Sequence, residues 1–184
     1  MDYNAQKFWD GYKNELIDPV ELLIKNKYDQ AAVKLILSGI DSLAGYYTGR
    51  VSPGSVGNSF MEFVERYMPN FNKVLFPNSP TTGLINRKTG HVIIKPSEIF
   101  YHIFRNDMIH DGSLGIGVEV YRDKDVRILW KGQGFQIFRI NIFGLFEYFK
   151  KAVNDYDHDL DLDSDLQMKF ADKHNDVFNL SFGS

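Results

Sequence analysis

The chain has 184 residues, a net charge of −3 and no cysteine. The absence of cysteine excludes a disulfide scaffold, a cysteine nucleophile and a cysteine-ligated metal centre, and the slightly acidic balance disfavours a general basic nucleic-acid binder. Hydrophobic residues make up 43% of the chain and charged residues 24%, which is typical of a folded globular domain. We therefore expect one domain over residues 1–184.

The first residues lack the basic start and apolar core of a signal peptide. No apolar run approaches the ~20 residues that span a bilayer. We expect a soluble cytoplasmic protein without a membrane partner.

The first part of the chain is predicted to be helical. A short helix is expected over residues 4–16, and Asp18-Pro19 is expected to begin a second short helix, because Asp is a good N-cap and Pro is favoured at the first helical position. Strong helices are predicted over residues 29–47 and 58–67, where apolar residues recur at three- and four-residue steps.

The middle of the chain carries the β-strand signals. Residues 70–96 are rich in Pro and Gly and predict an inserted β-hairpin. A third helix is expected over residues 97–110, with Ser97 as its N-cap. Three short alternating runs within residues 115–140 predict a small antiparallel β-meander.

The last part is again predicted to be helical. A helix is expected to begin near Asn141, and a final one to cover residues 166–178 with Phe170 and Val177 inward. The acidic run over residues 155–165 is interpreted as a solvated connection, since no register supplies both the Gly and the Glu of an EF-hand loop. The predicted fold is therefore mainly α, a helical bundle with an inserted β-hairpin and a small antiparallel β-meander.

The segment from Arg105 to Gly112 is the most informative stretch for function. On a helical wheel at about 100° per residue, Ile99, Phe100, Ile103 and Phe104 define an apolar face. Asp107 falls near the centre of this face, and His110 lies close in angle to Ile103. Asn106 lies one turn before His110. Because buried polar groups need partners, this pattern predicts a local polar network.

These residue types suit cleavage of a phosphodiester. An imidazole can exchange a proton near neutral pH, and a guanidinium can bind phosphate and stabilise developing negative charge. Together they could promote attack of a ribose 2′-hydroxyl on the adjacent phosphate without a metal ion. The alternative is structural: His110 could satisfy the last carbonyls of a helix, and Arg105 could simply pair with a carboxylate.

The pattern Arg105-Asn106-x-x-x-His110 resembles the R-(polar)-x3–5-H signature of the HEPN superfamily, which also stands at a helix end in an all-α bundle. The helices over residues 33–45 and 60–67, and the later one from Asn141, are similar in order to that bundle. The resemblance covers most of residues 28–178.

The resemblance implies a homodimer in which two signature helices form a composite cleft. It implies a metal-independent endoribonuclease of a bacterial defence or toxin-like system, with no cofactor and with RNA and an antitoxin or other protein as partners. Arg105 would bind or stabilise the scissile phosphate, His110 would act as general acid and base, and Asn106 would orient one of them or the phosphate. Because some HEPN members have lost activity, the alternative is a non-catalytic binding or dimerisation module.

Two acidic residues are supporting candidates. Asp41 lies at the edge of the apolar stripe of its helix and could reach Arg105 or His110 as an orienting carboxylate. The alternative, which residue-type burial preferences favour, is a solvated residue at the helix edge. Asp107 is the second candidate, because it belongs to the predicted polar network beside His110.

Overall fold

The protein is mainly helical in a computed structural model, which describes residues 3–49, 56–69, 96–105, 118–123, 129–133 and 135–182. The elements in chain order are α1 (Tyr3–Lys25), α2 (Asp29–Thr48), α3 (Val56–Tyr67), α4 (Pro96–Ile99), a π-helix (Phe100–Arg105), β1 (Val118–Tyr121), β2 (Leu129–Gln133), β3 (Phe135–Asn141), α5 (Ile142–Leu162) and α6 (Ser164–Phe182). The mainly α character agrees with the sequence prediction. A hairpin is predicted over residues 70–96. Residues 70–95 of this stretch lie outside the described ranges, and Pro96 begins α4.

Helix α2 forms the centre of the bundle and packs against α1, α3, α5 and α6. Its predicted stripe is buried from Ala32 to Leu43. A Cβ atom at Gly39 would lie 2.7 Å from Phe149 Cζ of α5, so a glycine is required for this close approach. Helix α2 ends at Thr48, and Gly49 caps it with a φ of 63°, the left-handed conformation that glycine adopts without strain.

Helix α1 is continuous through Pro19, so the prediction of two short helices separated at Asp18-Pro19 is wrong. One row of buried side chains runs along the whole helix: Ala5, Trp9, Leu16, Val20 and Ile24. Proline removes one backbone hydrogen bond from a helix interior. We infer that burial of the row on both sides of Pro19 offsets this loss.

The sheet is mixed, and the predicted antiparallel meander is wrong. The strand order is β1-β3-β2. Strand β1 pairs with β3 in parallel, and β2 pairs with β3 in the antiparallel direction. Period-two alternation predicts strands but does not encode their direction, and the meander assumed that each strand pairs with the next in the chain.

The sheet is fixed to the helices at the end of β1. The Arg122 guanidinium forms an ion pair with Asp29 at the start of α2 and donates to the Ile24 carbonyl at 2.5 Å.

Asn141 is the N-cap of α5, and its side chain accepts from the Gly144 N–H at 3.0 Å. The helix expected near Asn141 is thus confirmed.

The helix expected over residues 97–110 differs in two ways. It begins at Pro96, so Ser97 lies inside the first turn, where its hydroxyl donates to Glu65 at 2.8 Å rather than capping the helix. Residues 100–105 are π-helical, so a wheel at ~100° per residue does not describe the turn that leads into the signature. Residues 106–110 lie outside the described ranges.

The C-terminal helices extend through the acidic run, so the predicted solvated connection is wrong. Residues up to Leu162 belong to α5, and α6 begins at Ser164. Asp163 lies between them and its side chain accepts from the Asp165 N–H at 2.9 Å. Phe170 is buried as predicted, whereas Val177 is 37% exposed, contrary to its predicted inward position.

Arg66 and Tyr67 at the end of α3 both bind Asp159 of α5. Arg66 Nη2 lies 2.7 Å from Asp159 Oδ2, and the Tyr67 hydroxyl donates to the same oxygen at 3.0 Å. The hydrogen bond from Arg66 holds the pKa of Asp159 below its usual value. The Arg66 guanidinium also lies over the Tyr67 ring at 5.3 Å. This contact stands on the bundle surface.

Tyr156 of α5 lies at the centre of an aromatic core. Its ring meets Trp9, Phe63 and Tyr67 edge-on at centroid distances of 5.6, 5.9 and 5.5 Å. The side chain is fully buried, and its hydroxyl has no hydrogen-bond partner in the described part of the chain. Burial raises the pKa of Tyr156 far above its usual value, so the hydroxyl stays neutral.

We expect Tyr156→Phe to leave the fold intact and to stabilise it by about 1 kcal/mol, because the substitution removes the desolvation penalty of an unsatisfied hydroxyl and keeps the ring. Urea denaturation of both proteins measures the change in the free energy of unfolding. Destabilisation by more than about 1 kcal/mol would contradict this interpretation, since it would mean that the hydroxyl makes a hydrogen bond.

No helix within the described ranges is both long and apolar enough to cross a membrane.

Candidate functional site

A cleft of about 560 Å³ opens between α1, α2, the π-helix and α6. Its size lies within the range of small-molecule and nucleotide sites. Helix α2 supplies one side through residues at three- and four-residue spacing: Ser38, Asp41, Ser42 and Gly45. Helix α1 supplies a mainly aromatic side, and Arg105 and Lys173 approach from the π-helix and α6.

Arg105 is held at the cleft by an ion pair with Asp41. Arg105 Nη2 lies 3.0 Å from Asp41 Oδ2, and the two side chains are 14% and 23% exposed. The guanidinium carbon also lies 5.5 Å from the centre of the Tyr101 ring. A carboxylate and an aromatic ring therefore fix the direction in which the guanidinium points.

Gly57 of α3 makes room for Tyr101. A Cβ atom at position 57 would lie 2.9 Å from Tyr101 Cε1. The Tyr101 ring also packs against Phe60 with a centroid separation of 5.5 Å. The position of Arg105 therefore depends on the packing of the π-helix against α3.

Tyr12 connects the aromatic side of the cleft to α2. Its hydroxyl donates to Ser42 Oγ, which lies on the residue next to Asp41. Burial raises the pKa of Tyr12, and burial raises the pKa of Tyr46 to about 12. Both phenols are thus neutral near pH 7. The Tyr12 O–H is already donated to Ser42, so the Tyr12 oxygen can only accept a further hydrogen bond.

The charged groups of the cleft have mixed sign. Arg105 and Lys173 are cationic, whereas Asp41 and Glu15 are anionic. Lys173 Nζ lies 3.5 Å from Asp176 Oδ2 on its own helix, and Glu15 is exposed at the rim. The cleft is therefore not a strongly basic surface, and a phosphate would have to bind beside Arg105 or Lys173.

The structure brings together two of the five residues singled out in the sequence, Arg105 and Asp41. Asn106, Asp107 and His110 lie outside the described ranges. The geometry between Arg105 and His110, and the polar network around Asp107, remain predictions from the sequence.

The sequence interpretation missed the residues that complete the cleft: Phe8, Tyr12, Ser42 and Lys173. In the sequence, Phe8 and Tyr12 stand only as apolar residues of the helix expected over residues 4–16. Lys173 carries a signal that could have found it, because it lies three residues after the buried Phe170 of α6. A lysine at this helical spacing lies on the inward side of α6.

The arrangement can bind and orient a ligand that has a flat apolar part and an anionic group. Aromatic rings supply stacking area, hydroxyls supply hydrogen bonds, and the oriented guanidinium supplies a fixed positive charge. Within the described ranges, no group of three or more His, Asp or Glu side chains is placed to hold a metal ion.

Comparisons with protein-family models, with curated proteins and with solved structures find no significant match to this chain.

Proposed function

We propose that the chain is a metal-independent endoribonuclease of the HEPN type, with a helical bundle as its scaffold and a homodimer as its working form. The observation that carries the proposal is the Arg105 guanidinium at the edge of the cleft, oriented by Asp41 at 3.0 Å. Arg105 is the last residue of the π-helix, and Asn106 and His110, the other two residues to which the resemblance gives catalytic roles, follow it in the chain.

The proposed reaction needs only a phosphate-binding cation and an acid–base group. A base removes the proton of the ribose 2′-hydroxyl, the 2′-oxygen forms a bond to phosphorus, and the bond from phosphorus to the 5′-oxygen breaks. The leaving oxygen takes up a proton, and the product ends in a 2′,3′-cyclic phosphate. Arg105 stabilises the charge on phosphorus-bound oxygens, and His110 transfers protons.

Asp41 acts in this proposal as a positioning residue. Asp41 accepts a hydrogen bond from one nitrogen of the Arg105 guanidinium. The guanidinium also lies over the Tyr101 ring. Fixing a long side chain before the substrate arrives reduces the entropy lost on binding. Asn106 orients Arg105, His110 or the phosphate as the third catalytic residue, and Asp107 supports them in the polar network beside His110. The enzyme acts in the cytoplasm, in a defence or toxin-like system.

The second candidate is a non-catalytic binding or dimerisation module of the HEPN type. It is favoured by the mixed charge of the cleft, where Asp41 offsets Arg105 and Glu15 lies at the rim. Such a module would form a homodimer or hold a protein partner, such as an antitoxin, and would not cleave RNA.

The two candidates differ in the products formed from RNA in the presence of EDTA. An endoribonuclease of this type is expected to cleave labelled RNA under chelation and to leave 2′,3′-cyclic phosphate ends, which are detected by their resistance to direct ligation and labelling. Absence of cleavage by the homodimer across several single-stranded RNAs would favour the binding module.

A further inference from the structure

The turn between α1 and α2, residues 25–28, carries two lysines and an exposed tyrosine. Tyr28 is 64% exposed, and its ring contacts no other aromatic ring or cation within the described ranges. Lys25 and Lys27 are also exposed. Most of an aromatic side chain and two ammonium groups are therefore open to a ligand at one turn.

The charges of these two lysines are not neutralised by direct pairing. Lys25 and Lys27 form no ion pair in the described part of the chain, although Glu21 lies one helical turn before Lys25. Asp29, the next acidic residue after the turn, is bound by Arg122. By contrast, every lysine of α5 and α6 pairs with an acidic residue of its own helix: Lys150, Lys151, Lys169 and Lys173. The turn is a local cationic surface on a chain whose net charge is −3.

Lys27 occupies a position where glycine is usually found. Its φ is 64°, its N–H donates to the Ile24 carbonyl at 3.1 Å, and the Tyr28 N–H donates to the Leu23 carbonyl at 2.9 Å. This is the Schellman pattern of a helix C-terminus, in which glycine adopts the left-handed conformation without strain. Residues held in such conformations cluster at binding sites. Lysine stands here against the backbone preference, which indicates a role for its side chain.

The turn is held in place by side chains on both sides. Arg122, which follows β1, donates to the Ile24 carbonyl at 2.5 Å, and the Asn26 amide donates to the Leu22 carbonyl at 2.8 Å. The backbone beneath the lysines is thus ordered before a ligand binds, which reduces the entropy lost on binding.

Helix α2 leads from this turn to the cleft. Lys34, Ser38 and Asp41 follow one another at four- and three-residue steps, so they lie on one face of α2. Ser38 and Asp41 line the cleft, and Lys34 is on the side of the turn. Asp29 and Asp41 are about 18 Å apart along the helix axis, so a ligand that reaches both ends is an extended chain. Glu15 at the cleft rim repels a phosphate there, so affinity for an anionic chain has to come chiefly from the turn.

Building on the proposed nuclease, we propose that the turn of residues 25–28 is a second contact site for single-stranded RNA, outside the cleft. Lys25 and Lys27 bind phosphates, Tyr28 stacks on a base, and Lys34 contacts the strand on its way to the cleft. A single strand repeats a phosphate and an unpaired base at every nucleotide, so it uses the cations and the ring together. An acidic peptide offers carboxylates to the lysines but no regular partner for the ring.

Binding of a non-cleavable probe tests this site separately from catalysis. The probe is a fluorescent oligoadenylate with 2′-fluoro sugars, which has no 2′-hydroxyl to attack phosphorus. Its dissociation constant is measured by fluorescence anisotropy at several salt concentrations. The variants are Lys27→Gly, Tyr28→Leu and, as a control with the same change of net charge, Lys151→Gln on the exposed face of α5. Tyr28→Leu removes no cap, because the Tyr28 side chain makes no capping hydrogen bond.

Lys27→Gly is expected to have opposite effects on binding and stability. It should lower the slope of log affinity against log salt by about 0.7, the value for one phosphate contact in a single strand. It should also raise the midpoint of urea denaturation, because glycine relieves the left-handed backbone. A purely structural lysine would change the midpoint and leave the slope as it is.

Tyr28→Leu is expected to weaken binding about 10-fold with an unchanged salt slope, because it removes stacking and no charge. Lys151→Gln should bind the probe as the wild type does. Circular dichroism of each variant checks that it is folded.

The site is overturned if the wild type does not bind the probe, or if folded Lys27→Gly keeps the full salt slope. Tighter binding of a fluorescent oligoglutamate, with the same loss in both variants, would assign the turn to an acidic peptide and contradict the RNA site. The expected variant effects without cleavage of natural RNA would support the site and contradict the nuclease. Cleavage of natural RNA, with both variants binding the probe like the wild type, would do the reverse.

Discussion

Arg105→Ala is expected to slow RNA cleavage by about 100- to 1,000-fold, the loss seen when one donor to a developing oxyanion is removed. The guanidinium is oriented by Asp41 and Tyr101 before RNA binds, so its removal takes away a pre-organised charge. The measurement is the single-turnover cleavage rate of labelled RNA at saturating protein.

Arg66→Ala is a matched control for this substitution. Arg66 also pairs with an aspartate, at 2.7 Å, and also lies over a tyrosine ring, but it stands on α3 outside the cleft. It should retain the wild-type rate. Equal rates for Arg105→Ala and Arg66→Ala would mean that Arg105 is a structural residue, which is the alternative left open by the sequence.

Trp9→Ala is expected to lower the free energy of unfolding by about 3–5 kcal/mol, the range for removing a large buried aromatic side chain. Trp9 is fully buried and meets Tyr156 and Phe170 edge-on at 5.6 and 5.7 Å. Its indole N–H donates to Asp157 of α5. The substitution therefore removes contacts from α1 to α5 and α6, on the helix that also carries the aromatic side of the cleft.

Urea denaturation of the wild type and Trp9→Ala measures this loss. Leu22→Ala is the control on the same helix, because Leu22 is 60% exposed and surface substitutions usually change stability by less than about 0.5 kcal/mol. A loss below about 1 kcal/mol for Trp9→Ala would contradict the central packing of α1, because mutations that remove packed core side chains cost more than this.

The elements with strong apolar periodicity could be predicted from the sequence. Helix α2 was expected over residues 29–47 and covers Asp29–Thr48, because its stripe matches one buried face and Gly49 ends it. Helix α3 and the start of α5 at Asn141 follow from the same signals. In each case the local pattern and the tertiary packing agree.

The failures arose where tertiary contacts override local signals. Pro19 is a strong marker of a helix start, but the burial of Leu16 and Val20 on either side keeps α1 continuous. Strand order depends on contacts between distant residues, and so the parallel pairing of β1 with β3 could not be inferred from alternation. The π-helical turn before the signature has no comparable sequence marker.

The candidate site was only partly accessible to sequence reasoning. Asp41 could be singled out because it is a carboxylate at the edge of an apolar stripe, and it lies 3.0 Å from Arg105. The aromatic side of the cleft could not, because Phe8 and Tyr12 look like core residues until the packing of α1 against α2 and α6 is known. Their partial exposure in the cleft is a property of the assembled bundle.

The most direct test of the account compares wild type with the Arg105→Ala, His110→Ala double variant in RNA cleavage with EDTA. Both proteins are purified identically, because a contaminating ribonuclease can produce the same 2′,3′-cyclic ends. We predict that wild type cleaves RNA under chelation and that the double variant falls to background. Loss of wild-type cleavage with EDTA, or full cleavage by the double variant, would contradict the proposed nuclease.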